Sequence, residues 1–153
     1  MTYFQIRKKV HWSDCDAAGV VWFAKFLGWY EDAEEELYAA VLGQSRQSLL
    51  DTIGFGMPRV EVSAKYRAPT RAGHTVRVGL HSTLEHARRL RHAFEIRDDT
   101  SGTLLAEGFV RVACVDLKTF EPRDLPAEVH ALVERLPEAA ARQARGEVEI
   151  PWT

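Results

Sequence analysis

Two carboxylates stand one residue apart in the segment Ser13-Asp14-Cys15-Asp16-Ala17-Ala18-Gly19-Val20-Val21-Trp22-Phe23. The aromatic run that follows reads as the opening of a helix, and a helix start exposes unpaired N–H groups carrying partial positive charge. Such groups can hold a carbonyl oxygen or a developing oxyanion. A carboxylate just upstream can face that carbonyl and either attack it or activate water against it. On local pattern alone Asp16 is equally readable as an N-cap or Asx-turn residue stabilising the helix start. Cys15 sits between the two acids, and flanking carboxylates disfavour a thiolate nucleophile, so a cysteine hydrolase is a weak reading.

A second group of chemistry-bearing residues is the run His86-Ala87-Arg88-Arg89-Leu90-Arg91. Arginines on an accessible rim suit phosphate, which they bind with paired hydrogen bonds, although a basic cluster also serves as a solvated sheet face. Strand alternation puts Arg89 and Arg91 on one face and Arg88 on the other. A third group is acidic. Glu31, Asp32, Glu34, Glu35 and Glu36 read as the wet side of the helix, with Glu31 open to a further role; no Glu-x-x-His pattern accompanies them, and no metal is expected. His92 is a lone histidine in an apolar pattern and reads as a satisfied core residue. Trp22, Phe23, Phe26, Trp29 and Tyr30 can wall an aromatic pocket, or can simply be core at helical spacing.

The elements that position these residues follow from periodicity. Phe4, Ile6, Val10 and Trp12 alternate with polar neighbours, as do Val60, Val62, Ala64 and Tyr66, then Val76, Val78 and Leu80, then Leu90, Phe94 and Ile96. Period two predicts strands with one apolar face and an antiparallel sheet. Thr103 to Leu117 is apolar on both faces and is expected to be a central or covered strand. Turns are expected at Arg71-Ala72-Gly73 and at Asp98-Asp99-Thr100-Ser101-Gly102, the latter as a hairpin loop. Between the first strand and the rest, Phe26, Tyr30, Ala33, Leu37 and Val41 predict a long helix over 23–42, stopped by Gly43. Shorter helices are expected near 45–52 and 126–136, with 136–153 as a C-terminal tail. A half-wet sheet and one long apolar helix bury each other most simply if the sheet curls around the helix, an α+β hot-dog arrangement.

Length and composition agree with a single domain over 1–153. The chain has 153 residues, 46% hydrophobic and 27% charged, with a formal net charge of -2, which allows one core and gives no bulk charge to draw nucleic acid or a membrane surface. No apolar run reaches membrane-spanning length and the N-terminus lacks a secretory pattern, so a cytoplasmic protein is expected. Cys15 and Cys114 show neither CxxC nor zinc-ligand spacing and are expected to be free thiols.

Asp14 through Phe23, followed by Trp29-Tyr30-Glu31-Asp32-Ala33, resembles the opening motif of the 4-hydroxybenzoyl-CoA thioesterase family. The similarity extends through Tyr66-Arg67-Ala68-Pro69 and Gly73, and more loosely to about Pro126. The resemblance implies the hot-dog fold, Asp16 as the catalytic acid, the Phe23 backbone N–H as the group polarising the thioester carbonyl, and Gly19 serving the turn between them. Asp14 then shapes the loop. It further implies that Glu31 reaches the ring substituent of an aryl substrate beside Trp22, and that Arg88 and Arg89 meet the nucleotide end of coenzyme A. Gln44, Ser45 and Arg46 supply no Trp that would complete a hydroxyl-binding contact. The leaving thiolate, with a conjugate-acid pKa of about 8.5 if it behaves like cysteine, needs no strong general acid.

The expected activity is therefore hydrolysis of an aryl-CoA, 4-hydroxybenzoyl-CoA or a related benzoyl-CoA, by a homodimer or homotetramer. No cofactor is expected, coenzyme A being part of the substrate. Asp16 as nucleophile and Asp16 as general base both remain open. Two other readings stand beside this one: a thioesterase for aliphatic acyl-CoA or acyl-carrier-protein thioesters, and a non-catalytic acyl-CoA binding module. A dehydratase would want a histidine paired with the acid near the helix start, and that loop has none.

Overall fold

The period-two segments become strands β1 (Phe4–Lys9), β3 (Arg59–Tyr66), β4 (Thr75–His86), β5 (Arg89–Asp98) and β6 (Leu104–Ala113) in a computed structural model that describes residues 2–153. They form one antiparallel sheet in the order β1-β4-β5-β6-β3. Phe4 pairs with Leu80, Val78 with Ile96, Ile96 with Ala106, and Tyr66 with Ala106 on the other side. Two further short strands, β2 (Phe55–Gly56) and β7 (Val115–Asp116), pair separately. The stretch expected as one strand from 103 to 117 is thus β6 and β7 with a break at Cys114. Gly108 in β6 lies close against β3, since a Cβ there would fall 1.9 Å from the Ser63 carbonyl oxygen.

The long helix α1 spans Lys25–Leu42. Phe26, Tyr30, Ala33 and Leu37 are buried as their spacing predicts, and Gly43 ends the helix at φ 69°, its N–H bonding to the Ala39 carbonyl. A side chain with a Cβ is strained at that φ, which is why glycine fits the stop. Helix α2 (Arg46–Ile53) starts at Ser45, whose hydroxyl accepts from Ser48 N–H. Helix α3 (Ala127–Ala144) runs past the expected end near 136. Val129, Leu132, Leu136 and Ala140 continue one buried stripe along it, while Pro137 is exposed, so the missing N–H falls on the wet side. Helices α1 and α3 contact each other and both contact β1 and β4. Their apolar faces form one core with Ile6, Val76, Val78, Leu80, Leu90, Phe94 and Ile96. This is the α+β hot-dog architecture.

Two strand expectations change. Trp12 leaves the sheet for a 3-10 turn (Trp12–Asp14) and is 85% exposed. The apolar face of β3 is open, with Val60, Val62 and Tyr66 each close to half exposed. The two edges of the sheet differ. At the β1 edge the Gln143 side chain accepts from Gln5 N–H and donates to Gln5 carbonyl, while Arg7 N–H bonds to Pro151 carbonyl and Thr153 N–H to Arg7 carbonyl. An amide side chain and the C-terminal segment therefore close that edge as an added strand would. At the β3 edge the described residues supply no such cover. Among them, no helix is long and apolar enough to cross a membrane.

Candidate active site

The acidic loop is built by its own backbone. Asp14 is buried; its carboxylate accepts from His11 N–H at 2.9 Å and lies 3.5 Å from Lys25 Nζ, and its carbonyl accepts from Trp22 N–H. Asp14 thus ties the 3-10 turn to the helix start. Cys15 and Val21 form an antiparallel bridge, Asp16 N–H bonds to Val20 carbonyl, and Val21 N–H bonds to Thr70 carbonyl. The five residues from Asp16 to Val20 close a tight turn in which Gly19 takes φ 77°, a region that L side chains avoid.

Asp16 stands exposed on that turn. Its Oδ1 accepts from Ala18 N–H at 2.8 Å, an Asx turn, and the other carboxylate oxygen has no hydrogen-bond partner among the described residues. Asp16 is not the cap of α1: Ala24 occupies that position, and no side chain caps the helix. Phe23 lies in the turn just before α1. Its N–H makes no hydrogen bond among the described residues, whereas the Trp22 carbonyl of the same peptide accepts from Lys25 N–H at 2.9 Å. Asp16 and Phe23 border one cleft of about 380 Å³, walled by Val21, Phe26, Tyr66 and the segment Arg67-Ala68-Pro69. Trp22 packs edge-on against Phe23, ring centroids 5.4 Å apart, and is half exposed, outside the cleft lining.

Asp16 and Phe23 therefore meet at the cleft, Gly19 shapes the turn behind Asp16 and Trp22 only neighbours Phe23, while the other expected site residues lie elsewhere. Glu31 is no free acceptor for a ring substituent. Arg59 Nη2 donates to both its oxygens, at 2.8 and 3.1 Å, and Arg46 Nη1 donates to Oε2 at 3.1 Å. Two guanidinium groups reach it because α2 and the start of β3 both close on the middle of α1. Arg88 and Arg89 lie at the β4–β5 turn, level with Ala113 and so at the opposite end of the sheet from Tyr66 and the acidic loop. Arg88 pairs with Asp124 at 2.9 Å, and Arg89 is exposed.

Residues that the sequence did not single out also matter. Glu34, expected on the wet side of α1, is fully buried. Tyr30 Oη and Arg59 Nη2 each donate to it at 2.6 Å, and His92 Nε2 lies 3.5 Å from its other oxygen. The Ser82 hydroxyl is 2.7 Å from His92 Nδ1. Burial by itself raises the Glu34 pKa, but the opposing charges and the Tyr30 hydrogen bond hold the carboxyl below its usual range. Burial pushes the His92 pKa down, against the Glu34 charge that raises it. The i, i+4 spacing of Tyr30 and Glu34 inside the apolar stripe was the available signal. Tyr66 was the other omission. Its hydroxyl donates to the Phe23 carbonyl at 2.9 Å. Among the described residues no group of three His, Cys, Asp or Glu side chains is placed to hold a metal ion.

Comparison with known proteins agrees with this architecture. Residues 10–133 match the thioesterase-like superfamily. The chain is 30% identical over 126 residues, covering 82% of it and 91% of the relative, to a 1,4-dihydroxy-2-naphthoyl-CoA hydrolase from Synechocystis. It is 28% identical over 133 residues, covering 87% and 96% respectively, to the acyl-CoA thioesterase YbgC of Haemophilus influenzae. Among solved structures, Slr0204, a 1,4-dihydroxy-2-naphthoyl-CoA thioesterase from Synechocystis, superposes with a TM-score of 0.81 at 28% identity, covering 88% of this chain and 97% of that one. A fold shared across nearly the whole length, together with a match spanning the acidic loop, the helix and the sheet, places the chain in the thioesterase-like, hot-dog superfamily.

Proposed function

We propose that this chain hydrolyses the thioester of an aryl-CoA, 4-hydroxybenzoyl-CoA or a related benzoyl-CoA, to the free acid and CoA. Membership of the superfamily carries the reaction class, acyl-CoA thioester hydrolysis. One observation carries the assignment of roles: Asp16, with an uncommitted carboxylate oxygen, and Phe23, with an uncommitted N–H, border the same aromatic-walled cleft. In the nucleophilic route the Asp16 oxygen bonds to the acyl carbon and the carbonyl electron pair moves onto oxygen, held by Phe23 N–H. Collapse expels the CoA thiolate, and water then hydrolyses the anhydride and restores the carboxylate. In the general-base route Asp16 takes a proton from water as the water oxygen attacks, and the departing thiolate takes that proton up. Gly19 serves both by holding the turn.

The open β3 edge supports a homodimer formed by antiparallel pairing of two β3 strands, with the β1 edge already closed. That pairing sets the β4–β5 turn of a second copy at the same end as this chain's Asp16. Between two and three strand spacings, about 12 Å, would then separate β3 of that copy from its Arg88–Arg89 turn. Arg88 and Arg89 on that copy would meet the phosphates of coenzyme A while the acyl group lies in the cleft. Pairing of dimers into a tetramer would use remaining faces. The same reading places the enzyme in the cytoplasm, with Cys15 and Cys114 reduced and no cofactor.

A second reading, hydrolysis of aliphatic acyl-CoA thioesters, is favoured by one observation: Glu31 is committed to Arg59 and Arg46 and offers a ring hydroxyl no free acceptor. The experiment is a steady-state panel of 4-hydroxybenzoyl-, benzoyl-, 1,4-dihydroxy-2-naphthoyl-, short-chain and long-chain acyl-CoA, run beside Asp16→Asn. The highest kcat/KM on an aryl ester supports the first reading and on an alkanoyl ester the second. Turnover of no ester at all leaves a binding module and refutes both.

A further inference from the structure

The turn carrying Phe23 is pinned on one side by backbone contacts and on the other by a single side chain. Upstream, Trp22 N–H bonds to the Asp14 carbonyl and the Trp22 carbonyl accepts from Lys25 N–H. The second bond polarises the Trp22–Phe23 peptide and makes Phe23 N–H a stronger donor. Downstream, Phe23 is followed by Ala24, the cap position of α1, whose first residue is Lys25. Its own ring is 61% exposed and does not anchor it. What holds the downstream carbonyl is the Tyr66 hydroxyl, at 2.9 Å.

We infer that Tyr66 is a positioning residue for thioester hydrolysis, its hydroxyl fixing the Phe23 carbonyl and so the direction in which Phe23 N–H meets the substrate carbonyl. This rests on the hydrolase reading above. Tyr66 is suited to the task because its own backbone is fixed. It is the last residue of β3, paired with Ala106, and the next two N–H groups, of Arg67 and Ala68, both bond to the Leu105 carbonyl. Its ring meets the buried Phe26 edge-on at 5.4 Å, which fixes the direction of the hydroxyl. Partial burial raises the phenol pKa, so the group remains a donor through neutral pH. An oxyanion donor works by being preorganised, and a donor free to turn would need to reorganise as charge develops. Tyr66 thereby links the end of the sheet to the amide that starts the helix.

Tyr66→Phe deletes the hydroxyl and keeps the ring contact. Because the contact acts on the direction of a transition-state donor, kcat for the best ester should fall about tenfold while KM stays within about twofold. The melting temperature should be unchanged, because the lost hydrogen bond is partly exposed. The 15N order parameter of Phe23 in the unliganded protein should drop in the variant, a readout that does not depend on turnover. A kcat within twofold of the parent, in a series where Asp16→Asn abolishes turnover, overturns the inference and leaves the hydrolase reading intact. A rise in KM with kcat unchanged also overturns it, making Tyr66 a wall of the cleft. An unchanged Phe23 order parameter overturns it whatever the kinetics. If the parent cleaves no ester, the hydrolase reading falls and takes this inference with it.

Discussion

The Glu34 carboxylate and the His92 imidazole lie 3.5 Å apart with neither side chain exposed to solvent. Ser82 Oγ lies 2.7 Å from Nδ1 on the far side of the ring, so that Nε2 faces Glu34 Oε1, and neither of those two atoms has a hydrogen-bond partner among the described residues. Arg59, Arg46 and Tyr30 surround the carboxylate, and Glu31 closes the far side of the guanidinium pair. Removing one member of such a group strands its partners in a medium that cannot solvate them. Glu34→Gln is expected to lower unfolding free energy by about 3 kcal/mol, read from urea denaturation.

The same histidine gives a pH dependence with a definite sign. His92 has a folded pKa below its ordinary 6.5, so the unfolded chain binds the extra proton first. Stability associated with it is present above pH 6.5 and is lost as pH falls below that value. Urea midpoints measured from pH 7.5 to 5 should decline in the parent and decline less in His92→Phe. Parallel curves would show that the imidazole is not the group responsible.

Asp16 has two separable duties, a turn contact and an uncommitted oxygen. Asp16→Asn retains an acceptor for Ala18 N–H, so it should melt with the parent while kcat drops at least about a hundredfold. Asp16→Ala loses both and should also cost about 1 kcal/mol of stability. Comparable kcat in Asp16→Asn and parent, with both folded, would return Asp16 to the role of a turn residue.

Charge placed on the open sheet edge tests the assembly. Val60→Glu/Val62→Glu should convert a dimer to a monomer by sedimentation and raise KM for the CoA ester, since the basic turn of a second copy is withdrawn. If Arg89 meets the CoA phosphates as proposed, Arg89→Ala should raise KM several-fold with little change in kcat, because such contacts are shared by ground and transition states. Retention of the dimer in the double variant would move the interface elsewhere.

The β5–β6 loop supplies an acid-stability signal. Asp98 accepts from Thr100 and Ser101 N–H and lies 3.1 Å from His74 Nδ1, with its pKa depressed from 3.8 to about 2, chiefly by the Ser101 backbone. A depressed carboxyl stabilises the fold above its unfolded pKa, and that contribution disappears as pH falls from about 4 through about 2. Asp98→Ala should therefore be less stable than the parent at pH 6, by at most about 2 kcal/mol, with the difference narrowing toward pH 2.

Local chemistry in the sequence was enough for the parts of the molecule that neighbours along the chain decide. Alternating Val76, Val78 and Leu80, the Phe26–Tyr30–Ala33–Leu37 stripe, Gly43 as a helix stop and the Asp98–Gly102 loop all follow from period and backbone preference, and each appears where expected. The acidic loop was also legible, because Asp16, Gly19 and Phe23 are within eight residues and their turn is closed by its own backbone. Glu34, Glu31, Tyr66 and the Arg88–Arg89 turn were decided by tertiary structure alone. Whether an acid on a helix is wet or buried depends on whether cations from β3 and α2 arrive to compensate it. Whether a strand-end tyrosine is core or a hydrogen-bond donor depends on which carbonyl the fold brings to its hydroxyl. Periodicity specifies the face of an element that is apolar; it carries no information about which distant polar group will meet that face, and those meetings set the orientation of the Phe23 amide and the fate of Glu31.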